Sequence, residues 1–172
     1  MNGLQLRFLR CLHDAGAPCV VIGGFAIRAL GIDRTTTDLD VVTSTEHAVQ
    51  THAGLALFST QLGELLTPEQ LALPKKRIEI PSQHGKEVDV LTSVGNLRFA
   101  DLYARRFDVH TKDVDVPFAS AADQLAIKRI SLASAEKDIA VGVAPEELPR
   151  AEAARNKDRA DIMLLELHIR RS

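Results

Sequence analysis

The chain has 172 residues, 45% of them apolar, 26% charged and only 4% aromatic, and 21 basic against 23 acidic side chains leave a net charge of −2. A globular domain of this length buries roughly two thirds of the surface its unfolded chain exposes, so a core needs no metal, disulfide or partner. The near-neutral balance argues against a protein that holds a nucleic-acid duplex by neutralising many phosphates, while leaving room for contact with a nucleic-acid end.

The elements follow in chain order. Leu4, Phe8, Cys11 and Leu12 make the stripe of an amphipathic helix over residues 4–15, ended by Gly16 and Pro18. Cys19, Val20, Val21 and Ile22 form a wholly apolar run, as expected of a buried central strand. Gly23 and Gly24 stop it and open a short helix over residues 25–30. After a polar loop, residues 38–43 alternate as a second strand, and helix is expected from 45 to 66 with a break near Gly54. A turn or short helix around Pro68 leads to a hairpin of residues 77–81 and 86–92, joined through Ser82, Gln83, His84 and Gly85, with Pro81 marking its first arm as an edge strand. Asn96 is read as the cap of a helix to Arg106, followed by a second hairpin, 107–110 and 114–117. Ser120 and Asp123 suggest a capping box ahead of a helix over 121–134, then an exposed loop over 140–149 and a last helix over 150–169. This order implies an α/β fold with one mixed sheet flanked by helices in a single domain, a core of about 16–118 and a helical part of about 119–172.

No apolar run approaches the ~20 residues that cross a bilayer, and Arg7, Arg10, His13 and Asp14 break the first apolar stretch, so neither a membrane span nor a signal peptide is expected. Cys11 and Cys19 fit neither a zinc pair nor a redox C-x-x-C, which points to a reducing, cytoplasmic setting.

The acids are 13 Asp and 10 Glu, an excess of the poorer helix former, which turns attention to where the short carboxylates sit. Asp38 and Asp40 are two apart on a strand, so they leave one face with Cα atoms about 6.5 Å apart. Asp89, between Val88 and Val90, sits on another apolar-anchored strand; were the two strands adjacent, three carboxylates would converge. Hard oxygen ligands of this kind select Mg²⁺ or Mn²⁺ and take further ligands from substrate phosphates. D-x-D alone is a weak motif, and Asp113 and Asp115 supply a decoy in the same chain. The first pair differs in its surroundings: Gly23 and Gly24 end a buried strand and open a helix, offering bare N–H groups and a positive helix end to phosphate oxygens. A tight turn alone would need only one of these glycines.

The stretch VVIGGFAIRALGIDRTTTDLDVV, with the later VDV, resembles the nucleotidyltransferase superfamily that includes DNA polymerase β and the aminoglycoside nucleotidyltransferases. Arg34, Thr36 and Asp38 in R-x-T-x-D, together with DQLAIKRI and RNKDRADI, resemble the AbiEii-like small nucleotidyltransferases of bacterial toxin–antitoxin systems. The resemblance implies a polymerase β palm-like core in which Gly23 and Gly24 cradle a triphosphate and Asp38 and Asp40 hold two Mg²⁺ ions. Asp89 would complete one metal site and act as base. Lys128 and Asp158 match the late Lys and Asp, as nucleotide-side or helix-tethering positions. Many members carry Ser where Gly24 stands here, a hydroxyl this chain lacks.

Other residues divide between roles. Arg34 suits a phosphate or Asp38 equally, since its fork fits either anion. Lys75, Lys76 and Arg77 read as a solvated strand entrance, being too few to anchor nucleic acid. Asp161, three residues after Asp158 on the last helix, reads as one of a surface acid pair. The sequence thus predicts a Mg²⁺-dependent nucleotidyltransferase (EC 2.7.7 type) that moves a nucleoside monophosphate from an NTP, ATP among them, to a hydroxyl of a protein side chain, a tRNA end or a small molecule. A cognate toxin or antitoxin protein is the expected partner in the toxin–antitoxin setting. A non-catalytic antitoxin or binding module on the same fold, and a metal-dependent phosphohydrolase, are the alternatives.

Overall fold

The computed structural model describes residues 1–82 and 85–171. Six strands form one mixed sheet in the order β3-β4-β2-β1-β6-β5: β1 Cys19–Ile22, β2 Leu39–Thr43, β3 Arg77–Ser82, β4 Gly85–Leu91, β5 Phe107–His110 and β6 Asp115–Phe118. β1 runs antiparallel to β2 and parallel to β6, β2 runs parallel to β4, and β3–β4 and β5–β6 pair antiparallel. The mixed α/β sheet flanked by helices is therefore as the sequence predicts. β3 is an edge strand, as a proline without a ladder N–H requires, and its register shifts between Ile80 and Pro81. The connecting residues Gln83 and His84 lie outside the described residues.

Period-two alternation sorts the strand residues onto two faces. Cys19, Val21, Leu39, Val41, Val88 and Val90 join one core cluster with Phe8, Leu9 and Leu12 of α1 (Gly3–Asp14) and Leu55 and Phe58 of α3 (Ala48–Phe58). Val20, Ile22 and Val42 join the other with Leu102 of α6 (Phe99–Ala104) and Ile127 of α7 (Ala121–Val141). Both faces of β1 are covered, which explains its uninterrupted apolar run. Asp40 and Asp89 fall on the second face by the same alternation.

Several boundaries depart from the sequence reading, and the one nearest the acids is the start of β2, which lies at Leu39, so Asp38 is not on the strand as expected. The helix expected over 45–66 is a 3₁₀ turn, Thr45–His47, then α3 and α4 (Thr60–Leu65), and it breaks at Ser59, whose extended backbone caps α4. Gly54 does not break it; a Cβ there would lie 2.8 Å from Leu12 Cδ2, so this glycine lets α1 and α3 cross closely. Arg98, not Asn96, is the N-cap of α6. Ser120 Oγ accepts from the Asp123 N–H at the start of α7, but the Asp123 carboxylate pairs with Arg105 instead of returning to the cap backbone, so only half of the expected box forms. α7 runs on to Val141 and α8 spans Leu148–Arg171, leaving a shorter loop than residues 140–149. The polar composition that hides the end of α7 is used between the helices, where Glu136 pairs with Arg159 at 2.7 Å and Arg129 with Glu166 at 2.7 Å. Among the described residues no helix is long and apolar enough to cross a membrane.

Candidate functional site

The sheet brings two of the three acids side by side. Asp40 and Asp89 are register partners on parallel β2 and β4, so their Cα atoms are about 4.8 Å apart and their side chains leave one face. Asp40 also lies opposite Ile22, the last residue of β1. The pair therefore sits where β1 ends and α2 (Gly23–Ala29) begins. Asp38 stands one residue before β2, outside the ladder, and its carboxylate accepts a hydrogen bond from Thr37 Oγ1 at 2.9 Å. Asp89 is 1% exposed, whereas Asp38 and Asp40 are half-buried.

Both glycines at the turn are required, each by a different neighbour. Gly23 has φ +70°, and a Cβ on it would lie 2.3 Å from Asp40 Oδ2. A Cβ on Gly24 would lie 2.5 Å from Thr36 Cβ and 2.6 Å from its Oγ1. The bare backbone therefore receives the chain's own side chains: Asp40 closes over Gly23, and the loop before β2 closes over Gly24. The Gly23 N–H is already committed, donating to Gln124 Oε1 of α7 at 3.2 Å.

Asp89 has a partner the sequence did not reveal. Arg77 Nη2 donates to Asp89 Oδ2 at 2.6 Å, so Arg77 is not simply a solvated residue at a strand entrance. That hydrogen bond chiefly, with the charges of Asp89, Glu79 and Asp40 adding to it, raises the guanidinium pKa despite partial burial. Among the described residues no three His, Cys, Asp or Glu side chains are arranged to hold a metal ion.

Arg34, Lys128, Asp158 and Asp161 form a separate polar seam. Arg34 Nε donates to Asp161 Oδ1 at 2.6 Å, and Lys128 Nζ lies 2.8 Å from both Asp158 Oδ1 and Asp161 Oδ2. The Arg34 guanidinium therefore faces Asp161 and the Thr35 carbonyl rather than Asp38. Asp161, read from sequence as a surface acid, is 1% exposed and is the acid that joins both cations. Burial opposes charge on Lys128 and Asp161, but their partners outweigh it: the Lys128 pKa is raised and that of Asp161 lowered.

A cleft of about 940 Å³ opens at the opposite end of the sheet, with Ser44, Thr92 and Ser93 in its lining. Its hydroxyls serve the fold. Ser44 caps the 3₁₀ turn, Ser93 accepts from the Lys75 N–H, and Thr92 accepts from Lys76 and donates to the Leu73 carbonyl. None of the three acids lines it. Cys19 is buried, and desolvation pushes its thiol up to about 12, so it stays protonated and unreactive.

No protein-family profile matches the chain, and no curated protein does. Among solved structures, the antibiotic-resistance factor ANT(2'')-Ia, whose solution structure is described as showing substrate-regulated conformation dynamics, aligns over 100% of both chains at 16% identity with a TM-score of 0.41. A likeness at that level carries no argument about activity.

Proposed function

We propose that this chain is a Mg²⁺- or Mn²⁺-dependent nucleotidyltransferase that moves a nucleoside monophosphate from an NTP to an acceptor hydroxyl and releases pyrophosphate. The observation that carries the reading is the register pairing of Asp40 with Asp89 beside the Gly23 turn, with Asp38 one step ahead of β2. The donor set fits a divalent cation by its chemistry: carboxylate oxygens from two adjacent strands, one of them held in place by a glycine whose Cβ would displace it. Held there, a divalent cation would supply charge neutralisation for a phosphate substrate.

In this reading Asp38 and Asp40 would hold the cation. Asp89, once Arg77 yields its oxygen, takes the proton of the acceptor hydroxyl, and this requires an approach of about 3 Å. The acceptor oxygen forms the new bond to the α-phosphorus as the bond to the pyrophosphate oxygen breaks. Such chemistry rests on positioning and charge neutralisation more than on covalent help. Gly23 and Gly24 act by keeping Asp40 and Thr36 close to the turn. Arg34, Lys128 and Asp158 hold the frame around the site.

The Arg77–Asp89 ion pair favours a second reading, a non-catalytic antitoxin or masking module in which the would-be base stays occupied. Incubating the chain with Mg²⁺, each α-³²P NTP and cell extract separates these readings. Label on a protein, a tRNA end or a small molecule that is lost in Asp40→Asn supports transfer and identifies the acceptor. Free labelled monophosphate means phosphohydrolase, and no turnover with any NTP favours the binding module.

A further inference from the structure

Asp38 has no ladder to fix it, because pairing of β2 with β1 and with β4 begins at Asp40 and Leu39 respectively. The segment before it is nevertheless pinned from three directions. Gln5 of α1, itself buried, donates from Nε2 to the Thr37 carbonyl at 2.6 Å. Thr36 closes against Gly24 of α2. Arg34 reaches Asp161 of α8, which is braced in turn by Lys128 of α7. α7 also holds the other side of the site, because Gln124, one helical turn before Lys128, accepts the Gly23 N–H. Two helices that bring no acid to the site thus hold both the glycine turn and the loop that carries Asp38.

We infer that Asp161 is a positioning residue: through Arg34 it fixes the segment over residues 33–38, and with it the cation-binding geometry of Asp38. This rests on the function proposed above only for its consequence, not for the clamp. The physical ground is the cost of leaving a buried charge without its partner, which makes the Arg34–Asp161 contact an all-or-none anchor rather than a loose surface pair. Arg34 is 15% exposed at its side chain and Asp161 1%. Asp161→Asn keeps the side-chain volume and removes the charge. Arg34 then loses the acid that orders it, and among the described residues Gln5 and the Thr36–Gly24 contact remain as the anchors of residues 35–38 to other elements.

The test compares full-length wild type with Asp161→Asn, Arg34→Gln, their double variant, and Val116→Ala, a core truncation on β6 that lowers stability without touching the loop. Amide hydrogen exchange is followed for residues 35–38 and for β1 and β4, and Mn²⁺ binding is followed by the free-ion electron paramagnetic resonance signal. In Asp161→Asn, exchange at 35–38 should accelerate at least about ten-fold more than in β1 and β4, and the Mn²⁺ Kd should rise about ten-fold. Val116→Ala should raise exchange evenly and leave the Kd alone. The double variant should be no worse than the more affected single one, because both changes remove one contact. Unchanged loop exchange in Asp161→Asn overturns the inference, as does an unchanged Kd where wild type binds Mn²⁺. Selective loop exchange in a protein that binds no Mn²⁺ upholds the clamp and overturns the proposed function instead.

Discussion

Substituting Gly23 by alanine isolates how closely Asp40 must be held. Two costs are separable. The first is backbone: φ +70° costs an L-residue about 1–2 kcal/mol, partly offset by about 0.4–1 kcal/mol from a stiffer unfolded chain. Gly16, at φ +66° with nothing within 4 Å of a Cβ, measures this term alone. The second is contact: the new Cβ would lie 2.3 Å from Asp40 Oδ2, and ordinary contact begins at 3.4 Å, so the carboxylate must retreat by about 1 Å. Because Asp40 is half-buried and its carboxylate is the flexible end, it can swing away at little cost in stability. The two variants should therefore melt alike, about 1 kcal/mol and ~2–4 °C below wild type. Their nucleotidyl transfer should not be alike: a 1 Å misplacement at a reacting centre costs about 100-fold, so Gly23→Ala should lose about two orders of magnitude while Gly16→Ala keeps its rate. Calorimetry and label transfer on the same preparations decide this. Equal activity in the two variants would refute the idea that the glycine exists to seat Asp40.

Breaking the polar seam by Lys128→Met or Asp161→Asn should cost about 3–5 kcal/mol at pH 7 in urea melts, because it strands a buried charge. The depressed Asp161 pKa makes its contribution complete above about pH 4, and that contribution drains away as pH falls through the folded-state value; the raised Lys128 pKa keeps its contribution until pH climbs past about 10.4. The gap between wild type and Asp161→Asn should therefore stay level from about pH 5 to 10 and shrink in acid, and a gap that stays constant into strong acid contradicts the assignment. Arg77→Met should lower the melting temperature in the absence of cations and enlarge the rise produced by Mn²⁺, read by calorimetry with and without chelator; equal Mn²⁺ shifts would show that Arg77 and the cation do not compete for Asp89. A thiol reagent at pH 8 should leave Cys19 unmodified until the chain unfolds, since its thiol sits near 12 and is buried.

What the sequence made legible is what depends on neighbours along the chain. The alternation of β2 through Asp40, the apolar run of β1, the paired glycines and the proline-marked edge strand are all local, and period or turn chemistry suffices to read them; Asp38, read as part of that alternation, lies one residue outside the strand because no neighbouring strand pairs with it. Asp89 was legible only as a strand acid; its pairing with Asp40 depends on β2 and β4 being adjacent, which is a matter of topology. The partners missed are farther away still. Arg77 bonds a residue 12 positions on, Gln124 one 101 positions back, and Asp161 one 127 positions back. Asp161 was misread because an i, i+3 acid pair flanked by Lys157 and Arg159 has the composition of a solvated face. Only the packing of α7 on α8 shows which side is inward. The length of α7 escaped for a related reason: it lies against another helix through ion pairs, and so carries no apolar stripe beyond its first turns.

The remaining question is how Asp40 and Asp89 sit side by side, with Asp38 just ahead of β2, without repelling one another apart. The structure answers with burial graded against countercharge. Asp38 takes the Thr37 hydroxyl in the half-exposed loop, Asp40 is half-buried and within reach of the Arg77 charge, and Asp89, the most buried, takes the Arg77 guanidinium directly. The order follows the physics: the carboxylate with least access to water is the one that most needs a full opposite charge. Arg77 suits that duty because its side chain is half exposed, so it can leave for solvent at less cost than a buried cation would.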